Sequence, residues 1–211
     1  MLTTVLPTTL ARITNGRKFC SGVLIDPSTV LTCAHFFREL RHNTYVWVAG
    51  VRRVPRDIEL IDGTDLAIVH LPPITHVAAG DFPTFGSTPT LLTPTVTAGF
   101  GGTVRGRDSF RLRRGWFLAR SPIAVSRGVA TVVRPAGFIL NANPAIKGDS
   151  GGPVYAGGQL IGVQSLIFTP AGINLRIATT ALLEPIVDQL RAHTDQRRPA
   201  PTGLTGLTMP R

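Results

Sequence analysis

The segment Gly148-Asp149-Ser150-Gly151-Gly152-Pro153 sets one serine among glycines. A glycine's missing Cβ permits tight turns and lets a bound chain approach the backbone, which suits a serine that attacks a carbonyl. A serine hydroxyl is a poor nucleophile near neutral pH. It needs a base to take its proton and N–H donors for the oxyanion that forms. The backbone N–H groups of Gly148 and Ser150 are the candidate donors. The candidate base is His35, in Leu31-Thr32-Cys33-Ala34-His35, where an apolar strand ends on an imidazole. Asp65 heads the apolar stretch Leu66-Ala67-Ile68-Val69 and is expected to be buried. A buried carboxylate must be paired, and an imidazole N–H would serve while fixing the tautomer. Asp62, in Ile61-Asp62-Gly63, reads as turn chemistry. His42, His70, His76 and His193 read as surface or satisfied-core histidines.

The same hexapeptide satisfies Gly-x-Ser-x-Gly, the nucleophile elbow of α/β-hydrolases. In that order the acid and the histidine follow the serine, and here only His193 follows Ser150. The elements around the candidates also differ. Short runs such as Val23 to Ile25, Tyr45 to Val48, Leu66 to Leu71, Val96 to Phe100, Leu160 to Val163 and Ile173 to Ile177 alternate with Gly, Pro, Asn and Asp, as strands of a sandwich or barrel do. Asn15-Gly16 between two such runs predicts a hairpin. Helical spacing occurs once, at Leu183, Ile186, Val187 and Leu190, with Pro185 in the first turn. After His193 the composition becomes basic and Pro-rich, so residues 194–211 are expected to form a mobile tail.

The 211 residues suffice for one large core or two smaller ones sharing an interface. The 22 Gly and 17 Pro favour turns over long helices. A net charge of +10 would suit nucleic acid, membrane surfaces or acidic substrates. Much of it lies in Arg105 to Arg120 and Arg191 to Arg211, away from any zinc-finger or aromatic RNA-binding spacing, so nucleic acid is not expected as a partner. No apolar run reaches the length of a membrane span. Met1 to Leu10 lacks an export signal, which places the chain in the cytoplasm or means that a leader precedes the numbering.

Thr-Cys-Ala-His, Asp-Leu-Ala-Ile and Gly-Asp-Ser-Gly-Gly-Pro, in that order, resemble the trypsin/chymotrypsin family of serine proteases from about Ala11 to Leu190. The resemblance implies an all-β fold of two six-stranded antiparallel barrels, about 10–88 and 89–180, within a unit of residues 1–193 that ends in a C-terminal helix. The cleft between the barrels would hold His35, Asp65 and Ser150. It implies a monomeric serine endopeptidase acting on protein or peptide substrates, with no metal or organic cofactor. It also implies a Cys20–Cys33 disulfide in an oxidising compartment. Ser165 would contact the catalytic aspartate. Leu166 and Ile167 would bind an extended substrate by strand addition.

The sequence departs from the family in two places. Pro144 stands where cleavage after Arg or Lys requires an aspartate. With Ile167 narrowing the entrance and Gly172 opening the opposite wall, the resemblance implies cleavage after small or medium apolar residues. Arg12-Ile13-Thr14-Asn15-Gly16 imitates an activation site but lies too close to Cys20 to be one, so the partner of Asp149 stays open. Two other readings use the same fold: a catalytically silent binding module and a stress-type protease with chaperone activity, although no PDZ-like segment follows the barrels.

Overall fold

The computed structural model describes residues 8–38, 43–102, 109–127 and 130–196. His42, the start of the stretch from Arg105 to Arg120, and residues 197–211 of the expected tail lie outside the described residues. The first half contains β1 (Leu10–Asn15), β2 (Lys18–Asp26), β3 (Thr29–Cys33), β4 (Thr44–Val48), β5 (Val51–Arg53), β6 (Asp57–Leu60) and β7 (Leu66–His70). The second half contains β8 (Pro94–Gly99), β9 (Arg111–Ser121), β10 (Ala124–Val125), β11 (Val132–Val133), β12 (Ala136–Asn141), β13 (Pro153–Ala156), β14 (Gln159–Ile167), β15 (Ile177–Leu182) and the helix α1 (Val187–Gln196).

Six strands of the second half close into an antiparallel barrel in the order β12-β15-β14-β13-β8-β9. The first half is a curled antiparallel sheet of seven strands, β5-β4-β1-β2-β3-β7-β6, rather than the expected closed six-stranded barrel. Its edges, β5 and β6, are joined through Val54-Pro55-Arg56 but do not pair. Pro55 has no N–H to give a ladder, and short edge strands with alternating exposure leave the seam open. The Asn15-Gly16 hairpin is present, with Asn15 opposite Lys18 and Gly16 at a φ of +57°. The run Ile173 to Ile177 becomes a strand only at Ile177. Ile173 follows a 3-10 turn over Pro170–Gly172 and is exposed.

The interface between the halves is itself core. Val23, Ile25, Leu31 and Leu66 of the sheet pack with Ala98, Tyr155, Val163 and Leu183 of the second half. This explains why β2 is buried continuously from Cys20 onward: one face looks into its own sheet and the other into the barrel. Leu183, Ile186 and Leu190 close the same cluster, so the apolar face predicted at the C-terminus docks, although regular helix starts only at Val187. Among the described residues, no helix is long and apolar enough to cross a membrane.

Candidate active site

β3 ends at Cys33, and the chain turns into a single 3-10 turn over Ala34–Phe37 that carries His35. Asp65 sits immediately before β7, fully buried, and Cys33 lies opposite Leu66 across the β3–β7 ladder. This register brings Asp65 to His35. His35 Nδ1 lies 2.8 Å from Asp65 Oδ2, and the His35 backbone N–H donates to Oδ1 at 2.9 Å. Ser165 Oγ donates to the same Oδ2. Three donors therefore satisfy a carboxylate whose burial unpaired would be costly. Because a carboxylate only accepts, Nδ1 carries the proton and Nε2 is left as the basic nitrogen. Asp62 lies exposed in a turn closed by the Thr64 N–H on Ile61 O at 3.2 Å. His70 faces Glu59 and His76 faces the Ala49 carbonyl, both away from this cluster.

Ser150 stands on the loop between β12 and β13. Its Oγ donates to the carbonyl of Ser165 at 3.3 Å, so one residue of β14 touches both the serine hydroxyl and the aspartate. Gln164 still exchanges backbone bonds with Gly151 and Gly152 just before β13; beyond it no partner lies on that side among the described residues, and a bulge between Gln164 and Ile167 turns Ser165 inward. Leu166 and Ile167 are half-buried on that free edge, and Leu166 N–H bonds the Thr179 hydroxyl at 2.9 Å. Pro144 is half-buried, next to the buried Ala145 whose carbonyl accepts from Asn174 Nδ2 at 2.7 Å. Gly172 is exposed in its turn, with open space around it.

The loop that carries Ser150 is held on both sides of that residue. Ser21 N–H donates to Ser150 O at 2.8 Å and Ser21 Oγ to Gly148 O at 2.7 Å. With that carbonyl held away, the N–H groups of Gly148 and Ser150 meet no acceptor among the described residues. Gly148 has a φ of +100°, and a Cβ there would fall 2.4 Å from the Phe19 ring, so only glycine fits.

Asp149, whose partner the sequence left open, is held by Arg113. Arg113 Nε lies 2.6 Å from Asp149 Oδ2, and both side chains are almost wholly buried. The N–H groups of Gly101 and Ile146 donate to the same carboxylate, each at 2.9 Å. In the sequence Arg113 is one of several arginines in the basic stretch from Arg105 to Arg120, flanked by Arg111 and Arg114. The available signal was period two. Counting back from the buried Phe117 through Gly115 reaches Arg113 on the inward face of β9.

The expected Cys20–Cys33 disulfide is not formed; both are buried free thiols. The two thiols are close enough to interact with each other, and Cys20 Sγ also lies 3.7 Å from Thr32 Oγ1 and Cys33 Sγ 3.8 Å from His35 Nε2. His35 is held above its ordinary value. Burial works against its charge, but the Cys33 sulfur and the Asp65 carboxylate outweigh it. Burial also lifts the Cys33 thiol well above its ordinary value. Near neutral pH Cys33 is therefore uncharged, and Asp65 supplies the upward push.

The Trypsin family model matches residues 7–182. A peptidase of Corynebacterium glutamicum is 26% identical over 166 residues, covering 74% of this chain and 56% of its own length. The active form of the Rv3671c protease from M. tuberculosis superposes with a TM-score of 0.71 at 19% identity, over 96% of this chain and 87% of that one. Kallikrein-related peptidase 10 superposes with a TM-score of 0.68 at 19% identity, over 92% and 98%. With the family model matched over most of its length, the chain belongs to the trypsin family of peptidases.

Proposed function

We propose that the chain is a serine endopeptidase that hydrolyses peptide bonds through an acyl-enzyme, with Ser150 as nucleophile, His35 as general base and Asp65 as its orienting acid. The observation that carries this reading is the joint at Ser165, which bonds Ser150 Oγ through its carbonyl and Asp65 through its hydroxyl. Ser150 Oγ rotates away from the Ser165 carbonyl and attacks the substrate carbonyl as His35 Nε2 takes its proton. For this the Cys33 thiol must release Nε2. The Gly148 and Ser150 N–H groups hold the oxyanion, and Asp65 stabilises the imidazolium. His35 then protonates the leaving amine, and water repeats the cycle on the ester.

The free edge of Ser165 to Ile167 supports strand addition of the substrate's acyl side. Pro144 and Ile167 line the pocket for the residue before the cut and favour a small or medium apolar side chain there. Gly172, in its exposed turn, leaves the far wall open. A peptide library showing dominant Arg or Lys before the cut would refute this preference. The triad is tested with a fluorophosphonate probe. Wild type should label, and Ser150→Ala and His35→Ala should not. Folded wild type that fails to label would favour the silent binding module instead.

A further inference from the structure

We propose that the outer face of the first sheet beside the nucleophile loop is a platform for an acidic peptide segment on the leaving-group side of the scissile bond, an inference that rests on the endopeptidase reading above. Strand register assembles it. Thr14 lies opposite both Phe19 and Tyr45, and Arg12 lies opposite Trp47, which in turn lies opposite Arg52. Ile13 and Val46 point into the sheet's own core, so their neighbours Arg12, Tyr45 and Trp47 take the other face. The guanidinium carbon of Arg12 lies 4.5 Å from the Phe19 ring centroid, and that of Arg52 lies 4.8 Å from Tyr45 and 5.9 Å from Trp47.

The row begins at the catalytic loop, because Phe19 packs against Gly148 so closely that a Cβ there would meet its ring at 2.4 Å. A substrate whose acyl side lies along Ser165 to Ile167 leaves the nucleophile on this opposite flank. The occupant follows from charge. A guanidinium stacked on an aromatic ring keeps its in-plane N–H groups for a carboxylate. Among the described residues, neither Arg12 nor Arg52 pairs with a carboxylate, and Arg12 Nε is buried without an acceptor. Trp47 is 46% exposed, a large apolar surface beside two uncompensated cations. Glutamate and aspartate side chains complement the cations, and an extended peptide backbone covers the rings.

The test is binding to the Ser150→Ala protein, followed by Trp47 emission, of two peptides with one common acyl side and a run of either glutamates or lysines on the leaving-group side. The glutamate peptide should bind about tenfold more tightly than the lysine peptide, as two partly exposed ion pairs allow. Arg12→Gln and Arg52→Gln should each bring that ratio towards one. Arg52 is exposed, so its variant serves should Arg12→Gln not fold. Equal binding of the two peptides overturns the platform. So does a single-stranded oligonucleotide that binds more tightly than the glutamate peptide, which would make the face a nucleic-acid surface. Fluorophosphonate labelling of wild type is scored separately. Labelled protein without an acidic preference removes the platform alone, whereas unlabelled protein that prefers the glutamate peptide supports the platform and removes the endopeptidase reading.

Discussion

Arg113→Met keeps most of the aliphatic volume inside the second barrel but removes the guanidinium that lies 2.6 Å from Asp149. The Asp149 carboxylate would keep its bonds from Gly101 and Ile146 and lose its only charged partner among the described residues. Breaking a buried pair by removing one member costs about 3–5 kcal/mol, because the surviving charge stays desolvated. Asp149 immediately precedes Ser150, and its own N–H bonds Ile146 O at 3.1 Å, so the loop that carries Gly148 and Ser150 N–H takes the strain first. If the cost falls on that loop, the fraction of molecules able to receive an oxyanion drops by about a hundredfold or more. Fluorophosphonate labelling rate at fixed probe concentration, read alongside denaturant unfolding, separates loss of the loop from loss of the fold. Arg113→Met/Asp149→Asn should recover part of both, since no charge is then left buried. Labelling of Arg113→Met within about threefold of wild type at undiminished stability would refute the reasoning.

Two further outcomes follow from the site. Because His35 is held above its ordinary value of 6.5 and must be neutral to act, the labelling rate should climb with pH through a midpoint above 6.5, and Asp65→Asn should lower both the midpoint and, by about 10⁴, the rate; a wild-type midpoint at or below 6.5 would sink this. Cys33→Ala removes the thiol 3.8 Å from His35 Nε2 and should speed labelling about two- to fivefold, at a cost of about 1 kcal/mol in stability for the small buried void, both read against wild type under reducing conditions.

The catalytic candidates were legible because each lies in a short local pattern: a serine between glycines, a histidine closing an apolar run, an aspartate heading another. The strands that hold them were legible for the same reason, since alternation and turn residues act over a few positions. What escaped depends on contacts distant in sequence. The partner of Asp149 is chosen by the β8–β9 register, which sets Arg113 opposite Thr97 beneath the Gly99-Phe100-Gly101 turn. The contacts of the two thiols with Thr32 and His35 are set by side-chain packing, which spacing along the chain does not encode. The open seam of the first sheet turns on the failure of two short edge strands to meet, again a tertiary outcome. Trp47 and Arg52 look like scattered surface residues until pairing sets them side by side.

Ser21 has a consequence for the order in which the proposed site is assembled. It belongs to the second strand, yet its N–H and hydroxyl hold Ser150 O and Gly148 O, groups more than a hundred positions later, and its oxygen also accepts from Phe100 N–H at 2.9 Å. A chain emerging from its N-terminus can complete β1 to β7, with His35 and Asp65 in place, before the serine loop has been made for Ser21 to hold. On the endopeptidase reading proposed above, the reactive centre is therefore the last thing assembled. It arrives with the docking of the two halves, so a partly made or partly opened molecule should be inert toward its neighbours.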